Sequence, residues 1–197
     1  MQPRASPVEK QVSELPLAVD MDGTLILTDM SWVSIKRVLL RRPWIIPGMI
    51  AKELTGRRAQ WKRDLAERLV FDPSELEYHR EFLDWLTGQQ AKGRTLVLAT
   101  ASDRIIAEQV AGHVGLFSDV MASDSTFNLR GEKKGEALAS RFGEKAFSYA
   151  GNSKHDIPVW KYAGEVIVVN PERGLLDEVG DSACLLYTSP SPRDVHL

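Results

Sequence analysis

Five short apolar runs constrain the fold of this chain more than any other feature of its sequence. They occupy residues 15–19, 94–100 (RTLVLAT), 118–123 (SDVMAS), 146–151 (AFSYAG) and 165–170 (EVIVVN). Each run is continuous rather than alternating, the pattern of parallel strands covered on both faces. Helical patterns separate them. Ser102 or Asp103 can cap a helix running to about His113, residues 132–142 read as a second, and 157–162 as a short third after Asp156. Strands alternating with helices predict an α/β fold, a doubly wound parallel sheet with right-handed crossovers. A chain of 197 residues can bury one such core and add a small subdomain.

Residues 30–91 break this rhythm, holding no convincing strand but several helical stretches punctuated by Pro43, Pro47, Gly56 and Pro73. Apolar residues recur at helical spacing over 57–70 (Trp61, Leu65, Leu69) and over 73–90 (Leu76, Phe82, Leu83, Leu86). The expected organisation is therefore a core made of 15–29 and 92–181, interrupted by a helical insertion at 30–91. Residues 1–14 are polar and read as a disordered tail. From 182 to 197, CLLYTSPSPRDVHL and its approach leave the pattern and read as a non-native or disordered tail resembling translated adapter sequence.

The net charge of −2 predicts no general affinity for nucleic acid, yet the charge is unevenly spread. Between Ser31 and Leu69, ten Lys and Arg face three acids, leaving that segment at +7 and the remainder at −9. Here Trp32, Trp44, Ile45 and Ile46 interleave with Lys36, Arg37, Arg41 and Arg42, which suits an amphiphilic phosphate or a membrane surface as well as an ordinary basic solvated face. Cys184 is the single cysteine, so no internal disulfide forms and a reducing, cytoplasmic setting is expected. The N-terminus has no apolar signal-peptide region, and no window reaches the roughly 18 apolar residues of a membrane span.

The chemistry gathers where strands end. The first run continues into DMDGT, and a period of two points Asp20 and Asp22 to one side of the chain. Gly23 allows a sharp turn and Thr24 can brace it, holding both acids where open α/β sheets bind ligands. Asp20 can attack phosphorus and Asp22 can shuttle the proton. Thr100 and Ser102 offer hydroxyl donors, and Lys133 or Lys134, in RGEKKGEAL, can pair with nucleophile and phosphate. Asp156, four residues past Asn152 in GNSKHD, can supply a hard oxygen ligand or hold a metal's water shell, and magnesium suits such a set.

Taken in order, DMDGT, LATAS, KKGEAL and GNSKHD resemble the four motifs of the haloacid dehalogenase (HAD) superfamily, over residues 15–180. The resemblance implies a Rossmann-like HAD core with a helical cap inserted between the first and second motifs. It implies a magnesium-dependent phosphatase in which Asp20 is nucleophile and metal ligand, Asp22 acid and base, Thr100 phosphate donor and Lys134 the charge-stabilising lysine. The metal set it implies is Asp20, the main-chain carbonyl of Asp22, Asn152 and Asp156. Gly23, Thr24, Ser102, Arg41 and Arg42 are the expected substrate contacts. Asp22 favours phosphatase over dehalogenase chemistry. Asn152 departs from the family's usual Asp, bringing a carbonyl but no charge, so weaker magnesium binding is expected.

In closer detail, LPLAVDMDGTLILTDMSW, LVLATASDRI and VIVVNPERGL resemble the soluble N-terminal HAD domain of bacterial proteins fused to a UbiA-type prenyltransferase. That likeness implies a polyprenyl-linked sugar phosphate as substrate, and a natural chain continuing into a membrane prenyltransferase domain. Two other classes stand beside the phosphatase: a non-catalytic domain that binds a phosphorylated ligand, and a phosphotransferase.

Overall fold

In the computed structural model, the described residues are 15–27, 72–179 and 184–185, together with Pro47, Gly48, Ile50 and Leu54, which are helical. Arg41, Arg42 and the expected helix over 57–70 lie outside the described residues, as do the N-terminal tail and most of the expected cap.

Among the described residues, six parallel strands form one sheet. In chain order they are β1 (Leu17–Val19), β2 (Leu96–Asp103), β3 (Asp119–Ser123), β4 (Ser148–Gly151), β5 (Glu165–Val168) and β6 (Cys184–Leu185). Their spatial order is β3-β2-β1-β4-β5-β6. β1 thus lies inside the sheet, paired with β2 on one side and β4 on the other. The chain winds outward from β1 through β3, then returns to the other side of β1 with β4. That reversal is the topological switch point at which doubly wound sheets bind ligands. Every residue of β1 is fully buried. Leu17 and Val19 join the core on one face and Ala18 the core on the other, the alternation that a two-faced sheet demands.

The helices cover both faces. α1 (Arg80–Ala91) and α2 (Arg104–Val114) pack on the Leu17 and Val19 side, contributing Phe82, Leu86, Ile106 and Val110. α3 (Glu132–Phe142), α4 (Ile157–Trp160) and α5 (Leu175–Val179) cover the opposite face with Leu138, Val159, Trp160 and Leu175. Asp103 rather than Ser102 caps α2, accepting from the Ile105 N–H at 3.0 Å.

Three expectations need correction. The helix over 73–90 is broken: Pro73–Glu75 form one 3-10 turn, Tyr78 bridges to Ile26, and His79 caps α1 by accepting from the Phe82 N–H. The insertion also ends earlier than residue 91, because α1 buries Phe82 and Leu86 in the same cluster as β1 and so belongs to the core. Residues 182–197 are not wholly outside the fold. Cys184 and Leu185 pair with Ile167 and Val168, whose strand would otherwise leave unpaired edge groups.

A single guanidinium ties the amino-terminal ends of the strands together. Arg94, just before β2, donates to the Leu15 carbonyl at 2.8 Å, to Ser148 Oγ at 2.6 Å and to Glu165 Oε2 at 2.9 Å. These partners precede or begin β1, β4 and β5, so one side chain fastens four strands at the end opposite their carboxyl termini.

Candidate active site

The carboxyl ends of β1, β2 and β4 converge on a cavity of about 340 Å³ whose lining includes Asp20, Asp22, Ser102, Lys134 and Asn152. Asp20 follows β1 directly, its N–H bound to the Ala150 carbonyl at 2.9 Å, which fixes it at the switch point. After it the chain folds back through Leu25 and Ile26, both donating to the Met21 carbonyl at 3.0 Å. Gly23 makes this turn possible. Its φ is +79°, and a Cβ there would lie 2.3 Å from Asn152 Nδ2.

Lys134 reaches Asp20 from the first turns of α3. Its Nζ lies 2.7 Å from Asp20 Oδ1 and 2.8 Å from the Tyr149 hydroxyl, with the lysine only 4% exposed. Lys133 instead lies over the Phe127 ring, 5.7 Å from its centroid. The Tyr149 hydroxyl continues the chain of contacts by donating to Asp156 Oδ1 at 2.8 Å. Burial, then the charges of Asp156 and Asp20, hold that phenol well above its usual range, so it stays protonated. Asp20 itself is pushed up to about 7: burial raises it most, Lys134 pulls it down, and Asp156 and Asp22 raise it further. One buried lysine therefore faces three carboxylates.

Asp22 is positioned by Ser102, whose hydroxyl donates to Asp22 Oδ2 at 2.8 Å. Thr100, the expected phosphate donor, sits beneath the cavity instead. β2 runs on through Asp103, three residues past the expected strand end, so Thr100 is fully buried and its Oγ1 accepts from the Ser102 N–H at 3.0 Å. Ala101 and Ser102 line the cavity in its place. Thr24 is likewise fully buried, and its hydroxyl donates to Asn152 Oδ1 at 3.3 Å rather than facing the opening.

Asp156, expected as a hard oxygen ligand or a holder of the metal's water shell, is buried and lines the cavity. Besides Tyr149 on Oδ1, its Oδ2 accepts from the Asn152 N–H, the Ser153 N–H and the Ser153 hydroxyl, at 3.0–3.1 Å. With both oxygens occupied, its place is to shape the loop that carries Asn152. Gly151 permits that packing, since a Cβ there would meet the Asp156 carboxyl at 2.6 Å.

Among the described residues no cluster of three His, Cys, Asp or Glu side chains forms a metal cage. The donors at hand are mixed: the Asp20 carboxylate, the Asp22 main-chain carbonyl and the Asn152 side-chain oxygen. They fit magnesium, which accepts one or two carboxylates and completes its shell with water and phosphate oxygens. The surplus of buried carboxylates over Lys134 is what a divalent cation would relieve.

Sequence reasoning misses Tyr149, Ser153, Arg130, His155 and Glu172, of which all but Tyr149 line the cavity. Tyr149 carries a usable signal. A hydroxyl inside the buried run AFSYAG must find a partner, and the site supplies two.

Comparison with known proteins gives a consistent result. The sequence model of one family, haloacid dehalogenase-like hydrolase, matches residues 17–161. An uncharacterized Sinorhizobium fredii protein, y4nM, is 33% identical over 156 residues, covering 79% of this chain but 30% of its own length. The chain therefore spans less than a third of that relative. A Bordetella pertussis protein of unknown function superposes with a TM-score of 0.64 at 16% identity, covering 87% of this chain and 97% of its own. Phosphoserine phosphatase superposes both as a substrate-bound complex (TM-score 0.57, 14% identity, 86% and 92% coverage) and as an analogue of its phospho-aspartyl intermediate (0.56, 16%, 87% and 92%). At these identities the structural likeness is one of fold.

Proposed function

The chain belongs to the haloacid dehalogenase-like hydrolase family, and from that premise we propose that it is a phosphatase that cleaves phosphomonoesters through an aspartyl-phosphate at Asp20. The observation that carries this reading is the contact of Lys134 Nζ with Asp20 Oδ1, 2.7 Å, at the carboxyl end of an interior strand and beside a second, separately held acid. An Asp20 oxygen attacks phosphorus as the bond to the ester oxygen breaks, and Asp22 delivers a proton to the departing alkoxide. Water then attacks the phosphorus of the acyl phosphate, returns its proton to Asp22, and releases inorganic phosphate with Asp20 restored. Lys134 offsets charge on the phosphoryl oxygens throughout. Asp20, the Asp22 carbonyl and Asn152 are the groups that would hold magnesium, which would add further neutralisation of those oxygens. The phospho-aspartyl analogue known for phosphoserine phosphatase supports the same chemistry by likeness of fold.

An aryl phosphate assayed with magnesium tests this. The native chain turns it over, and Asp20→Asn lowers kcat by about 10³-fold or more. Turnover that survives Asp20→Asn would overturn the reading. Asn152 favours one alternative, a domain that binds a phosphorylated ligand without cleaving it, and the same assay separates the two, since a binding domain turns over nothing.

The physiological substrate is proposed to be a polyprenyl-linked sugar phosphate, presented by a UbiA-type prenyltransferase further along the same natural chain. The basic, Trp-bearing segment around Arg41 and Arg42 supports this, as does the greater length of y4nM. Efficient hydrolysis of soluble sugar phosphates, with none of a lipid-linked one in micelles, would sink that assignment.

A further inference from the structure

Two basic side chains line the cavity but take no part in the chemistry above. Arg130 precedes α3 and His155 lies in the turn that carries Asn152; Arg130 Nη2 and His155 Nε2 are 2.7 Å apart. Asp20 and Lys134 are almost completely buried, whereas His155 is exposed and Arg130 half-buried, so the reacting groups form the floor and this pair stands at the mouth.

The pair is chemically lopsided. Arginine only donates and is always charged, so His155 Nε2 is the accepting atom of this contact. Among the described residues His155 is the guanidinium's one side-chain partner, and no carboxylate lies within ion-pair distance of it. Glu172 lines the same cavity without joining it. Arg130 thus presents a whole positive charge and four remaining N–H donors beside a phosphate site that already has its own lysine.

Both side chains are mounted on braced backbone. The Leu129 N–H donates to Ser123 Oγ at 2.9 Å, Leu129 is buried, and Gly131 turns the chain at φ +56° between Arg130 and α3. His155 rides on the loop pinned by Asp156 through Asn152 and Ser153. The mouth is therefore shaped before anything binds, which lowers the cost of ordering it.

We infer that Arg130, steadied by His155, forms a second anion subsite, fitted to a phosphomonoester that carries another phosphate group within reach of the first. This rests on the phosphatase reading for the role of the first phosphate, which occupies the floor at Asp20 and Lys134. The second phosphate accepts from the guanidinium fork and is not cleaved, since Asp20 and Lys134 are taken up by the first. Substrates with a single phosphate lose this contact.

The test uses the full chain carrying Asp20→Asn, so that ligands bind without turnover, and calorimetry in magnesium with ribose 5-phosphate and ribose 1,5-bisphosphate. The bisphosphate is expected to bind about tenfold more tightly, the value of a charge-assisted contact. Adding Arg130→Gln should shrink that advantage to about twofold or less, while Arg130→Lys, which keeps the charge but not the fork, retains part of it. Equal affinities, an advantage that persists in Arg130→Gln, or binding of neither ligand would each overturn the proposal. Aryl phosphate turnover by the native chain is read separately: its absence removes the phosphatase reading, while the calorimetric comparison still decides whether the subsite exists.

Discussion

The Tyr149 hydroxyl stands between Lys134, the partner of Asp20, and Asp156, the acid that shapes the opposite loop. Replacing it by Phe removes an acceptor from Lys134 and a donor from Asp156, both buried, at a cost of about 1–3 kcal/mol. Lys134 also loses the contact that aims it at Asp20. Tyr149→Phe is therefore expected to lower the urea midpoint and to reduce kcat about tenfold with little change in KM; a variant that matches the parent in both measurements would deny the hydroxyl this part. Gly23→Ala meets two obstacles at once, a positive φ and Asn152 Nδ2 at 2.3 Å from the added methyl. It should cost about 1–3 kcal/mol and raise the magnesium needed for activity, because Asn152 is what must move. Asn152→Asp acts in the other direction. Thr24 can still donate to the new carboxylate, while the added charge strengthens the cation site, so half-maximal activity should need less magnesium; an unchanged requirement would argue against contact with the metal.

At the scale of elements, the strands do two separate jobs at their two ends. The carboxyl ends of β1, β2 and β4 line the candidate site, and the amino ends are fastened by Arg94, Ser148 and Glu165. Burial alone would raise the Glu165 pKa, but hydrogen bonds from Ser148 and Arg94 and the charge of Arg94 outweigh it and hold the group below its usual value. A carboxylate depressed in the folded state adds stability above its unfolded pKa and loses it as the pH falls through the folded one. The native chain should accordingly be more stable than Glu165→Gln near neutrality, and the gap should close on acidification below the ordinary 4.5. The partial exposure of Glu165 keeps the effect at about 1 kcal/mol or less, and urea midpoints at neutral and acid pH would measure it. A gap that widened in acid would mean that the ion pair does not stabilise the fold in this way. This end of the sheet leaves no trace in sequence reasoning, because Arg94, Ser148 and Glu165 meet only across strand pairings that no local pattern reveals. The catalytic end is more legible. Asp20 and Asp22 follow from a period of two, and the helix over 132–142 matches α3. Thr100 lies deeper than its place at an expected strand end for a physical reason: in residues 100–103, Thr100, Ser102 and Asp103 are polar and disguise a strand that continues to Asp103 because its Ser123 pairing, past a bulge, extends the ladder.

For the molecule as a whole, the Arg94 fastening can be perturbed apart from the candidate site because the two sit at opposite ends of one sheet. Arg94→Met should remove about 2–4 kcal/mol by leaving Glu165 and the Leu15 carbonyl without their partner. It should leave the KM for an aryl phosphate where it is at temperatures where the fold persists. A large KM change would show that the sheet transmits strain from one end to the other. The cavity has one further property that follows from the strand order. Asp20 and Lys134 are 114 positions apart, and Thr24 and Asn152 are 128 apart. At ordinary synthesis rates of 5–20 residues per second, Asp20 leaves the ribosome roughly 6–23 s ahead of Lys134. Through that interval Asp20 and Asp22 stand on a strand whose β4 neighbour has yet to be made. On the proposed reading a half-made copy lacks Lys134 and Asn152, and its site is assembled only once β4 has docked.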